Sequence, residues 1–189
     1  MDVDWHHELL DQMEFYWDRM LAPRLVGLTD EEYLWEPARP AWTVRPRPDG
    51  SASLDWAPEP PEPAPVTTVA WRLCHIAGPC FWMRWSHHFD DGTWTPLRDD
   101  WPTTAAAGLD FLHEGYRRWR DAVRAEPERL ARPAGPAEGP YAERPFATLV
   151  LHLTREMCHH GGEIGTLRDL YRATGRGARG APSDEWSST

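Results

Sequence analysis

Glu156 and His160 stand four residues apart in the run Leu151-His152-Leu153-Thr154-Arg155-Glu156-Met157-Cys158-His159-His160-Gly161-Gly162-Glu163-Ile164. On a helix that spacing puts two side chains on one face, where both can grip one metal ion. A carboxylate at the edge of an apolar stripe needs a partner, because buried acids are rare unless paired or metal-bound. The third ligand must come from another element, and His75 is the best candidate. It sits between Trp71 and Trp82 on a helical segment that is apolar on two faces. His75, Glu156 and His160 would fill three positions of a zinc-like ion and leave the fourth open to water or substrate, which is the catalytic arrangement. Nickel, iron or manganese would also accept these ligands. A plainer reading pairs Glu156 with an arginine and makes His160 a satisfied core histidine.

The last helix has to position two of these groups. Its apolar stripe is Leu149, Leu153, Met157, Ile164, Leu167 and Tyr171. At about 100° per residue His160 falls in the middle of that stripe and Glu156 about 60° to one side. His152 and His159 fall about 100° and 120° away, nearer solvent. The pattern runs from Pro145, a residue suited to the first helical position, to about 174. The second helical segment spans 67–89, with Val69, Leu73, Ile76, Cys80 and Met83 on one stripe and Trp71, His75, Trp82 and Trp85 on another. Pro79 lies inside it and predicts a kink beside His75. Two further helices are predicted over 5–26 and 104–126, the latter with the seam Leu109, Leu112, Tyr116, Trp119 and Val123. Thr29 and Glu32 form a capping-box pattern that opens a short helix through Leu34. Between them and the second long helix, residues 36–65 hold nine prolines, which exclude helix and central strand. Such a segment either covers a site or straps the surface. No strand pattern competes anywhere. The expected fold is all-α, a four-helix bundle over residues 1–174, with a mobile tail at 175–189.

Other candidate ligands rank lower. His6 and His7 lie at an unanchored start, His87 and His88 suit a helix C-terminus, and His113 has no visible partner. Cys158 points away from the stripe, and Cys74 points away from its neighbour His75. Gly161 and Gly162 allow either a ligand or a packed helix to approach closely. Arg72, one turn before His75, could meet a substrate carboxylate, and Trp71 and Trp82 could line an apolar pocket.

The chain has 189 residues, a net charge of −10 and 12 tryptophans. Its length suits one domain that needs no disulfide to fold. The acidic balance argues against nucleic acid as a partner. There is no long apolar run and no basic-then-apolar start, which predicts a soluble cytoplasmic protein with no membrane partner and with Cys74, Cys80 and Cys158 reduced. All 20 basic side chains are Arg, and Asn is absent, a bias that suits a very GC-rich genome.

Thr67-Thr68-Val69-Ala70-Trp71-Arg72-Leu73-Cys74-His75-Ile76-Ala77-Gly78, taken with His159-His160-Gly161-Gly162-Glu163-Ile164 and Leu167-Arg168, resembles the DinB-like (YfiT-like) superfamily. Gly27 to Pro37 resembles the stretch after that family's first helix, so the likeness covers about 5–174. The resemblance implies a four-helix bundle, often dimeric, with a divalent metal on three side chains of the second and fourth helices. Many members use three histidines, whereas this chain has Glu156 at one of those positions. That matches the branch similar to mycothiol-dependent maleylpyruvate isomerase, whose set is His, Glu, His, and the composition suits actinobacteria, which make mycothiol. No stretch of the sequence resembles that isomerase's extra C-terminal domain. The expectation is a metal-dependent transferase joining a low-molecular-weight thiol to an apolar small-molecule electrophile. The alternatives are a hydrolase that activates water and a non-enzymatic metal-binding stress protein.

Overall fold

The computed structural model describes residues 2–59 and 61–175. Nearly all of the expected tail, from 176 onward, lies outside the described residues. Four long helices dominate. Helix α1 covers 5–25 as three continuous pieces, Trp5–Tyr16, a π-helical turn at Trp17–Leu21 and Ala22–Leu25. The short α2 is Asp30–Tyr33. Helix α3 covers 69–89 and is again interrupted, with Val69–His75, a π-helical stretch at Ile76–Trp82 and Met83–Phe89. Helix α4 is Ala105–Ala125 and α5 is Phe146–Ala173. Two 3-10 turns, Pro127–Ala131 and Pro136–Tyr141, connect α4 to α5.

Caps fix several of these starts. Thr68 accepts from the Trp71 N–H and Thr104 from the Ala107 N–H, so α3 and α4 begin one residue after a threonine. Pro145 stands just before α5 as its N-cap, not inside it. Helices α1 and α3 each contact both α4 and α5. Met13, Leu73, Ile76, Leu112, Trp119, Leu153 and Met157 are fully buried between them. The α4 seam is buried as expected at Leu112, Tyr116, Trp119 and Val123. No helix among the described residues is long and apolar enough to cross a membrane.

Three local expectations change. The proline-rich segment contains a small antiparallel ribbon, β1 at Val44–Pro46 and β2 at Ala52–Leu54, where no strand was expected. Prolines flank these strands, and Pro46 ends one of them, where a lost N–H is tolerated. Second, only half of the capping box forms. Thr29 takes the Glu32 N–H at 3.3 Å, but the Glu32 carboxylate turns to Arg168 on α5, with bonds of 2.7 and 3.0 Å. Third, the chain start is anchored, since Asp4 caps α1 and His6 Nε2 lies 3.0 Å from the Val123 carbonyl.

Candidate metal centre

His75 ends the regular first part of α3. Four residues later Pro79 has no N–H to offer its carbonyl and needs room for its ring, and the helix widens into the π-helical stretch that starts at Ile76. The proline-rich segment steadies this region. Thr43 and Thr68 share a 2.8 Å hydroxyl bond, and the Trp71 indole N–H donates to the Asp55 carbonyl at 2.7 Å. Trp71 in turn stacks on His75, with centroids 5.1 Å apart and planes at 7°.

Helix α5 supplies the other two groups. His160 is buried at 7% exposure, whereas His159 is exposed. The Glu156 carboxylate divides its oxygens between two sides. Oε2 lies 3.9 Å from His75 Nε2 and 3.4 Å from His160 Nε2, while Oε1 lies 3.4 Å from His152 Nδ1 and 3.6 Å from Arg155 Nη2. The His75 and His160 rings meet edge-on at 4.7 Å. One ligand atom from each of His75, Glu156 and His160 lies within 4.8 Å of the others. Zinc bonds of about 2.0–2.2 Å place tetrahedral donors roughly 3.3–3.6 Å apart, so no pair must close by more than about 1.5 Å. Burial first, then the neighbouring His160, pulls His75 down to about 4. The imidazole is therefore neutral near pH 7, as a ligand must be.

His160 is held by Glu163, which the sequence pattern did not single out, and by Arg72, which was expected to meet a substrate carboxylate instead. Its Nδ1 lies 2.6 Å from Glu163 Oε2, and Arg72 Nε lies 3.0 Å from the same oxygen. The short contact makes Nδ1–H the donor to Glu163 and leaves the Nε2 lone pair facing Glu156 and His75. Arg72 thus serves as the counter-ion of Glu163, and its Nη1 comes within 3.1 Å of His160 Nδ1. The available sequence signal was the i,i+3 spacing of His160 and Glu163 on one helix face. His159, His160 and Glu163 also lie within ligand reach of one another, but the Glu163–Nδ1 hydrogen bond and the exposure of His159 make this an orienting shell. Removing Glu163 would leave Arg72 donating to Nδ1, which moves the imidazole proton to Nε2 and blocks the ligand position. Glu163→Ala is therefore expected to weaken metal binding by about 10–100-fold in a chelator competition. Unchanged affinity would reduce Glu163 to a surface partner.

The structure brings Trp71 and Arg72 to the cluster but not Trp82. The Trp82 indole stacks on Phe111 of α4 at 5.8 Å, donates to the Phe111 carbonyl and covers Gly115, where a Cβ would lie 2.8 Å from the ring. Among the lower-ranked histidines, His88 pairs with Glu138 at 2.8 Å, His87 with the Trp94 carbonyl at 3.1 Å, and His113 meets Trp17 edge-on. Gly161 serves packing, since a Cβ there would come 2.5 Å from the Tyr16 hydroxyl, whereas Gly162 is open.

A helical protein with a His–Glu–His cluster between two long helices belongs, as a class, with those suited to hold a divalent cation. More specifically, the chain belongs to the DinB superfamily, whose family model matches residues 49–164. The matched stretch includes all three clustered residues, and the superfamily is typically metal-binding. No curated protein and no solved structure matches the chain.

Proposed function

We propose that this chain is a divalent-metal-dependent enzyme that transfers a low-molecular-weight thiol of the mycothiol type to an apolar electrophile. The observation that carries the reading is the convergence of His75, Glu156 and His160 from two helices. Among the described residues no fourth His, Cys, Asp or Glu joins this set. Zinc is the first choice of ion, with nickel, iron or manganese as alternatives. A bound cation of this kind makes a thiol or a water at its open position acidic near neutral pH. The protein's own groups would do the rest. Glu163 and Arg72 hold the His160 tautomer, the Trp71 ring fixes the His75 plane, and the partly exposed rim at His75 and Glu156 admits the substrate. The reading includes a DinB-type four-helix bundle, a homodimer and a cytoplasmic setting, with no nucleic acid or membrane as partner.

A hydrolase is the second reading, because the same open position accepts water. A non-enzymatic metal-binding stress protein is the third. Elemental analysis of the purified protein comes first, and an absence of bound metal in protein prepared without chelators overturns both enzymatic readings. Consumption of a chromogenic aryl halide is then followed with and without a cysteine-based thiol. Turnover that requires the thiol supports the transferase, turnover of ester or amide substrates without it supports the hydrolase, and metal without either favours the binder.

A further inference from the structure

On the opposite side of Glu156 from His75 and His160 lies a cavity of about 760 Å³, between α5 and the 3-10 turn Pro136–Tyr141. That volume is in the range of small-molecule sites, roughly 300–1,000 Å³. Arg84, Arg144, His152 and Arg155 line it, against a single acid, Glu138. Glu138 is already neutralised, with Arg84 Nε at 3.1 Å and His88 Nε2 at 2.8 Å. Arg144 has no hydrogen bond or ion pair from its guanidinium among the described residues. Arg155 reaches only His152 Nδ1, at 2.6 Å, and Glu156 Oε1, at 3.6 Å. The cavity therefore keeps uncompensated positive charge in a chain whose net charge is −10. Its remaining walls are largely apolar, with Leu149 buried and Tyr141 and Leu151 exposed.

An exposed aromatic ring and aliphatic side chains beside the unpaired Arg144 guanidinium and the partly paired Arg155 match a ligand that is apolar at one end and anionic at the other. His152 and Arg155 line the cavity and also touch Glu156 Oε1, so the cavity lies next to the candidate metal centre with these two side chains between them.

We infer that this cavity binds a small aromatic acid, its carboxylate held by Arg144 and Arg155 and its ring against Tyr141, Leu149 and Leu151. The inference rests on the proposed function only for calling this ligand a substrate. Binding in the cavity requires none of the three clustered residues.

The test titrates the full chain with cinnamate and with the neutral cinnamamide, followed by amide chemical shifts in NMR. Cinnamate is expected to give saturable shifts at Thr148, Leu151 and Arg155, and the amide to bind about tenfold more weakly. Arg144→Gln is expected to weaken cinnamate by about tenfold, and Arg144→Lys to recover most of it. Equal binding of acid and amide overturns the inference, as does full cinnamate affinity in Arg144→Gln or saturation at a different surface. Repeating the titration after EDTA treatment separates the two readings. Elemental analysis decides the metal centre, the titration decides the cavity, and either can fail alone.

Discussion

Protein carrying Glu156→Ala is expected to fold like the parent and to retain less than about a tenth of its metal after dialysis. Glu156 Oε2 faces both imidazoles, so its loss leaves two histidines for an ion that needs three protein ligands. The side chain is 22% exposed and its other contacts, to His152 and Arg155, are solvent-facing. Deleting it should change unfolding free energy by no more than about 1 kcal/mol in metal-free buffer. His160→Ala should lose metal equally, with a larger destabilisation of about 1–3 kcal/mol, because it strips the Glu163–Arg72 pair of its buried partner. Elemental analysis paired with urea unfolding in EDTA reads both quantities. Full metal content in both variants would sink the assignment of the centre.

A second large effect lies away from that centre. Arg168 on α5 and Glu32 on α2 are 1% and 3% exposed and joined by two bonds, and Arg168 Nη1 also donates to the Arg24 and Val26 carbonyls. The four-residue α2 is too short to persist alone, so this pair helps to fasten it and the end of α1 to α5. Breaking one half strands a buried charge, and Glu32→Ala is expected to destabilise by about 3–5 kcal/mol. With an m-value of about 2–3 kcal/mol/M, the urea midpoint should fall by roughly 1–2.5 M. Replacing both residues by Leu and Met should recover much of the loss, since the net worth of a buried ion pair is small. A Glu32→Ala midpoint within about 0.3 M of the parent would mean that water or a shifted helix satisfies Arg168.

Much of this was legible in the residues. The four long helices follow from stripes at helical spacing, and the thermodynamic pull of one apolar face was enough to separate buried His160 from exposed His159. Pro79 announced the disturbance beside His75. Its form was not legible. A π turn adds roughly one residue to the local winding, so positions after it rotate by about 100° from an ideal helix. That rotation explains why Trp82, which ideal spacing puts beside His75, packs against Phe111 instead. The Glu163–Arg72 pair depends on how α3 and α5 are registered against each other, which no single-helix pattern encodes. Glu32 had two available partners, a local N–H and a distant guanidinium, and burial against α5 favoured the charged one. The basic cavity was hidden for a similar reason, since Arg84, Arg144 and Arg155 come from separate segments.

The π-helical stretch in α3 also governs which changes of chain length the protein can accept. Deleting one residue within 76–82 would restore ordinary winding and leave the local backbone content. It would also turn Met83–Phe89 by about 100° relative to His75. Arg84 would leave Glu138, and Trp82 would leave the space above Gly115. The number of residues between His75 and Arg84 is thus a phase setting. It keeps the histidine facing α5 while the arginine, two turns on, faces the cavity, and no side-chain substitution at either end can substitute for it.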